Sequence, residues 1–104
     1  MAEPKGYWIA RIDVRDEAAY PAYIAAATPA YERFGARFII RGGTFEPVEG
    51  SSRARNVVIE FPTYQAALDC YRSPEYTAAK AIRQSCSDGD LLIIAGYDAP
   101  AIDA

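Results

Sequence analysis

Arg41 and Glu60 are the two residues whose types and placement could act together chemically. If the chain turns back at Glu49-Gly50-Ser51-Ser52, the flanking strands pair with Arg41 opposite Glu60, on the sheet face away from the helices. The guanidinium would then offer a fixed fork of donors to an anion or a carbonyl, and Glu60 would orient it or serve as a base. A structural cross-strand ion pair near a dimer seam accounts for the same two residues and is the plainer reading. Ser73 and Tyr76 read as a helix cap and a core-facing aromatic. Arg83 follows Tyr76 by seven residues, two turns along the same face, and either adds a charge beside it or snorkels to solvent. Tyr23, with Tyr20, Tyr31, Trp8 and Phe34, would line the space between helix and sheet with aromatic surface suited to a flat hydrophobic ligand. Ordinary core packing explains the same set.

Composition narrows the chemistry further. The sequence contains no histidine, which removes the commonest metal ligand, the commonest general base and the Ser-His and Cys-His nucleophile pairs. No cofactor and no metal is expected. Cys70 and Cys86 lack the close spacing of a metal or redox motif and read as small buried hydrophobes. A disulfide between them would need Cα atoms within about 7 Å and an oxidising compartment. The formal charge of −3 and the acidic isoelectric point argue against a nucleic-acid or anionic-membrane partner. Arg53 and Arg55 have no interleaved aromatics and read as a solvated hairpin tip. No apolar run approaches the roughly 20 residues of a membrane span. The segment Met1-Ala2-Glu3-Pro4-Lys5 lacks the apolar stretch of a signal peptide, so a cytoplasmic location is expected.

The elements that must position these residues follow from periodicity. Tyr7 to Val14 alternates, with Trp8, Ala10, Ile12 and Val14 on one face, and reads as a strand. Asp16 offers an N-cap to a helix over roughly 17–34, which Gly35 stops. Pro21 and Pro29 imply that this helix is kinked or begins later. Arg37 to Arg41 and Arg55 to Phe61 form a hairpin, and Thr63 caps a short helix carrying Ala67, Leu68 and Tyr71. Ser73-Pro74-Glu75 restarts helix to about Cys86, Asp88-Gly89-Asp90 punctuates, and Leu91 to Ala95 is a last strand. At 104 residues the chain has room for one core, here a single domain over 1–104 with its core at about 5–97 and a frayed tail over 98–104.

This order suits an α+β, ferredoxin-like βαββαβ antiparallel sheet with both helices on one face. Strand parity assigns Trp8, Ala10, Ile12, Phe38, Ile40, Val57, Ile59 and Phe61 to the helix side. Tyr7, Ile9, Ile39, Val58 and half of the Leu91–Ala95 run are left on the other face, an apolar patch larger than monomers usually expose. A second copy is the simplest cover, so a homodimer joined through its sheet faces is expected.

Four segments carry a family resemblance: Lys5-Gly6-Tyr7-Trp8, Ala36-Arg37-Phe38-Ile39-Ile40-Arg41-Gly42-Gly43, Asn56-Val57-Val58-Ile59-Glu60-Phe61-Pro62 and Tyr71-Arg72-Ser73-Pro74-Glu75-Tyr76. Over about residues 5–97 the chain resembles the domain-of-unknown-function family numbered 1330, within the dimeric α+β barrel superfamily. The resemblance implies two ferredoxin-like sheets packed face to face. It also implies that the loop at Ser73 and Tyr76 could form a pocket wall, where the backbone N–H groups of a broken helix could meet an acidic or carbonyl group and Arg83 could add a charge. Related branches include cofactor-independent monooxygenases, small isomerases, haem proteins and ligand-sensing domains, so fold alone does not choose an activity. The haem branch needs a proximal histidine that is absent here.

Three functions fit. The first is a dimer binding a small apolar or aromatic ligand, whose acidic or carbonyl end meets Arg41, Glu60 or Arg83. The second is a cofactor-independent monooxygenase or isomerase acting on an enolisable substrate, with Glu60 as base. The third is a structural interaction module without a pocket.

Overall fold

The computed structural model describes residues 3–98, so the tail expected from Asp98 onward lies almost wholly outside the described residues. In chain order the elements are β1 (Gly6–Val14), α1 (Tyr20–Phe34), β2 (Arg37–Arg41), β3 (Arg55–Phe61), α2 (Tyr64–Arg72), α3 (Pro74–Cys86) and β4 (Ser87–Ala95). The strands form one antiparallel sheet in the order β2-β3-β1-β4, the ferredoxin-like arrangement.

Local chemistry explains the boundaries. Asp16 does not cap α1: its carboxylate accepts from the N–H groups of Ala18 and Ala19 at 3.1 and 3.2 Å and closes the turn before the helix. The helix therefore starts at Tyr20, with Pro21 in its first turn where no donor is needed. Pro29 withholds a backbone donor from the Ala25 carbonyl, at little cost because both residues face solvent. Gly35, at φ 73°, takes the left-handed conformation that ends the helix. Thr63 Oγ1 caps α2 by accepting from Ala66 N at 3.0 Å. Ser73 then ends α2 and starts α3, accepting from Tyr76 N at 3.2 Å while its hydroxyl donates to the Cys70 carbonyl at 2.7 Å.

β4 is longer than its apolar run. Asp88, Gly89 and Asp90 pair with Asp13, Ile12 and Arg11 instead of forming a turn. Gly89 is needed for close approach, because a Cβ there would stand 2.5 Å from Ile12 Cδ1 and 2.7 Å from the Arg11 carbonyl oxygen.

The core lies between sheet and helices. Trp8, Ile12, Phe61 and Tyr76 are among its largest fully buried side chains, and Trp8 Nε1 donates to the Ala67 carbonyl at 2.8 Å. Leu91 and Ile93 pack on this side, while Leu92 and Ile94 face the other way, about half exposed, beside Ile9 and Tyr7.

Two expectations about β2 are corrected. A bulge between Phe38 and Ile40 shifts the register by one, so Ile40 pairs with Val58 on the open face and is 50% exposed, not part of the core. Glu60 stands opposite Arg37, and Arg41 opposite Val57, so the expected Arg41–Glu60 pair does not form. The physical reason is that residues 42–54 make a long irregular connection, not a tight turn at 49–52. Register is set instead by Phe38, which pairs with Ile59 and packs edge-on to Tyr31 at 5.4 Å.

Candidate functional site

α1 carries Tyr23 and Tyr31 on its buried face, two turns apart, and the first turn of α3 brings Tyr76 between them. The Tyr23 hydroxyl lies 2.8 Å from that of Tyr76 and 3.1 Å from that of Tyr31. Three hydroxyls joined by two hydrogen bonds use two protons and keep one to give. Burial pushes all three phenols well above their usual pKa, so they stay protonated donors. Trp8 closes the cluster from the sheet, its ring 4.7 Å from Tyr76.

Arg83 points into the same region from two turns further along α3. It is 7% exposed, its guanidinium carbon lies 6.0 Å from the Tyr23 ring centroid, and its Nε is buried without a hydrogen-bond partner. Among the described residues it joins no ion pair. Burial works against its charge, but the facing phenols of Tyr76 and Tyr23 more than offset this and hold its pKa above the ordinary value. Arg55, at the start of β3, is placed similarly: its Nε is buried and unpartnered, and its guanidinium carbon stands 5.7 Å from the Tyr20 ring centroid. Burial raises the Tyr20 pKa against the pull of Arg55 and Arg83.

Trp8, Tyr20, Tyr23, Tyr31, Arg55 and Arg83 line a partly open void of about 20 Å³, room for roughly one water molecule, and Tyr76 stands behind it, bonded to Tyr23. Its walls are aromatic and aliphatic apart from Arg55, Arg83 and the phenol hydroxyls, and no carboxylate lines it. Open grooves of about 290 and 360 Å³ flank it, the first sharing Tyr20 and Arg55 with the void and the second sharing Arg83 and Leu91. A ring-sized ligand would reach the void only if side chains at this boundary moved.

Of the residues singled out from sequence, Tyr23, Tyr76 and Arg83 come together here. Ser73 supports them without facing the void, because its hydroxyl is committed to Cys70 and Tyr76. The backbone N–H groups expected to open into a space at this break are satisfied by Ser73 instead, whose carbonyl also takes Thr77 N at 3.0 Å. Glu60 lies on the opposite sheet face, accepting from the Tyr7 hydroxyl at 3.1 Å and pairing with Lys5 at 3.4 Å. Arg41 is exposed on the edge strand with its guanidinium 4.1 Å from the Phe38 ring centroid. Sequence reasoning missed Arg55, although it shares strand parity with Val57, Ile59 and Phe61 and so belongs on the helix side. Cys70 and Cys86 are both free and buried, and burial pushes the Cys70 thiol up to about 12. Among the described residues no cluster of three metal-ligating side chains occurs, and no helix is long and apolar enough to cross a membrane.

Comparison with known proteins fixes the family and the fold. A protein of unknown function from Rhodopseudomonas palustris is 21% identical, with a TM-score of 0.76 over 93% of this chain and 85% of that one. SnoaB, a cofactor-independent oxygenase from Streptomyces nogalater, is 12% identical with a TM-score of 0.63, covering 92% of this chain and 96% of that one. A dimeric protein of unknown function and ferredoxin-like fold from Bacteroides fragilis is 12% identical with a TM-score of 0.52, covering 92% of this chain and 100% of that one. At these identities the likeness is one of fold. No curated protein matches the chain. The family described as a domain of unknown function, DUF1330, matches residues 5–97, and the chain belongs to it.

Proposed function

We propose that the protein is a homodimeric small-molecule-binding barrel whose helix-side cleft holds a flat apolar or aromatic ligand by its acidic or carbonyl end. The observation that carries this reading is Arg83, a buried cation with no carboxylate partner among the described residues, facing an apolar void beside a phenol proton free to donate. A buried charge is retained at a cost unless something pairs with it, and a ligand anion supplies the missing partner. The flanking grooves would take the ligand's outer part.

Trp8 is the sole tryptophan and lines the void, so its fluorescence reports occupancy directly. Titration with benzoate should change Trp8 emission saturably, and Arg83→Gln should weaken binding at least about tenfold, the scale of one charge-assisted hydrogen bond. No saturable change, or an affinity indifferent to Arg83→Gln, would remove this function.

Dimerisation is part of the reading. Ile40 on β2 and Leu92 and Ile94 on β4 are exposed at the two edges of the face away from the helices. A standard interface hides about 800 Å² per partner, and covering this apolar face at about 25 cal/mol per Å² would contribute strongly. The Bacteroides fragilis neighbour supports it by analogy of fold. Two free thiols suit a reducing, cytoplasmic setting.

The second reading, a cofactor-independent monooxygenase or isomerase acting on an enolisable substrate, draws support from the Streptomyces nogalater neighbour and from the same donors, which would steady an enolate. Glu60 is across the sheet from the void, so the substrate would have to ionise by its own acidity. Oxygen uptake with an enolisable aromatic ketone, lost in Arg83→Gln and kept in Glu60→Gln, distinguishes turnover from binding.

A further inference from the structure

Arg55 stands beside Ile12 in the sheet register, and Ile12 on its other side faces Gly89 near the start of β4. Arg83 lies one turn before the end of α3, where the chain passes directly into β4. Both arginines are therefore at one end of the sandwich, with Tyr20, the first residue of α1, between sheet and helices at that end. Both line the same void, and the Nε of each is buried with no partner.

The neighbouring cations are satisfied. Arg53 binds Asp13 at 2.8 Å and Asp90 at 3.0 Å, and Arg15 binds Asp88 at 3.0 Å. Asp13, Asp90 and Asp88 thus serve other arginines, while among the described residues Arg55 and Arg83 form no ion pair. Glu17 lines the outer groove beside Arg55 without forming an ion pair to it. Room for the Arg55 guanidinium comes from Gly42, at φ 64°, where a Cβ would lie 3.1 Å from Arg55 Nη1. One monoanion held by Arg83 would leave Arg55, half-buried at the edge of the open groove, without an anionic partner.

Building on the cleft as an acid-binding site, we infer that Arg55 and Arg83 together take a dianionic head of the dicarboxylate class, carried on a flat apolar body. Arg83 holds one carboxylate beside the phenols and Arg55 holds the second at the mouth. Arg55 is then the residue that separates diacids from monoacids.

The test compares benzoate, phthalate and isophthalate by Trp8 fluorescence, the two diacids covering close and wider carboxylate spacing. At least one diacid should bind about tenfold or more tightly than benzoate. Arg55→Gln should abolish that preference, the ratio of diacid to benzoate affinity falling to about one, with an unchanged circular-dichroism spectrum showing that the variant folds. A wild-type protein that binds neither diacid better than benzoate overturns the two-arginine head whether or not the variant folds. So does a preference that survives Arg55→Gln. Either result leaves the single-arginine cleft standing if benzoate binding still depends on Arg83, whereas benzoate binding that ignores Arg83→Gln overturns both.

Discussion

Replacing Arg83 by methionine should stabilise the unliganded protein while weakening its hold on an acid. The buried Nε has no acceptor, and an unmet buried donor costs about 1–3 kcal/mol. Against this stands the contact with the Tyr23 ring, whose centroid is 6.0 Å from the guanidinium carbon and which contributes about 0.5–1 kcal/mol. Methionine keeps most of the packing of the arginine stem, since it is unbranched and adapts to irregular space. The balance favours methionine by roughly 1 kcal/mol, in line with other replacements of buried charge by apolar groups. For a domain of this length that is a rise of about 4–8 °C in melting temperature. Circular dichroism melting without ligand measures the first effect, and benzoate titration by Trp8 fluorescence measures the second. A fall of more than about 5 °C would refute the reasoning, because Arg83 would then be a structural strut between α3 and the tyrosines and not a cation awaiting an anion.

Two further outcomes follow from the surface. Asp13 is held below its usual pKa, first by the Ala54 N–H and then by Arg53, so its contribution to stability is complete above about pH 4 and is lost as pH falls through the lowered native value. The melting-temperature gap between wild type and Asp13→Asn should accordingly shrink between pH 6 and pH 3, and a gap constant over that range would contradict the assignment. Ile94→Asp puts a charge on the open sheet face and should convert a species of about twice 11.4 kDa to one of 11.4 kDa in sedimentation equilibrium at micromolar concentration. A wild type that already sediments as the single chain would dispose of the dimer.

How far these features could be read from sequence depended on whether the signal was local. β1 and the α2–α3 break were legible because alternation at Trp8, Ala10 and Ile12 and the Ser73-Pro74-Glu75 cap are written in adjacent residues. The Arg41–Glu60 pair failed because it needed a turn position inside residues 42–54, and register there is settled by Phe38 finding Ile59 and Tyr31, contacts between distant parts of the chain. Ile40 was misassigned for a related reason: a one-residue bulge reverses every parity beyond it and leaves no mark in composition. The Asp88-Gly89-Asp90 segment looked like punctuation, but its glycine answers a steric demand from Ile12 that no local pattern reveals. Helical spacing put Tyr23 and Tyr76 on core-facing sides and Arg83 in line with Tyr76, but left open whether Arg83 turned inward or to solvent; Arg55 was passed over as solvated despite strand parity that placed it inside.

A core packed for stability alone has little use for hydroxyls at positions 23, 31 and 76, since each must find a partner once water is removed. Here the three phenols bond to one another, which meets the need but leaves one proton unassigned. Beside them Arg83 and Arg55 each keep a buried donor without an acceptor. The buried side-chain atoms left unmet among the described residues are therefore both arginine donors, and both arginines border a void whose lining contains no carboxylate. Positive charge and an unassigned phenol proton at one wall are the complement of an anion, which favours this cleft over the Glu60 side of the sheet as the proposed ligand site.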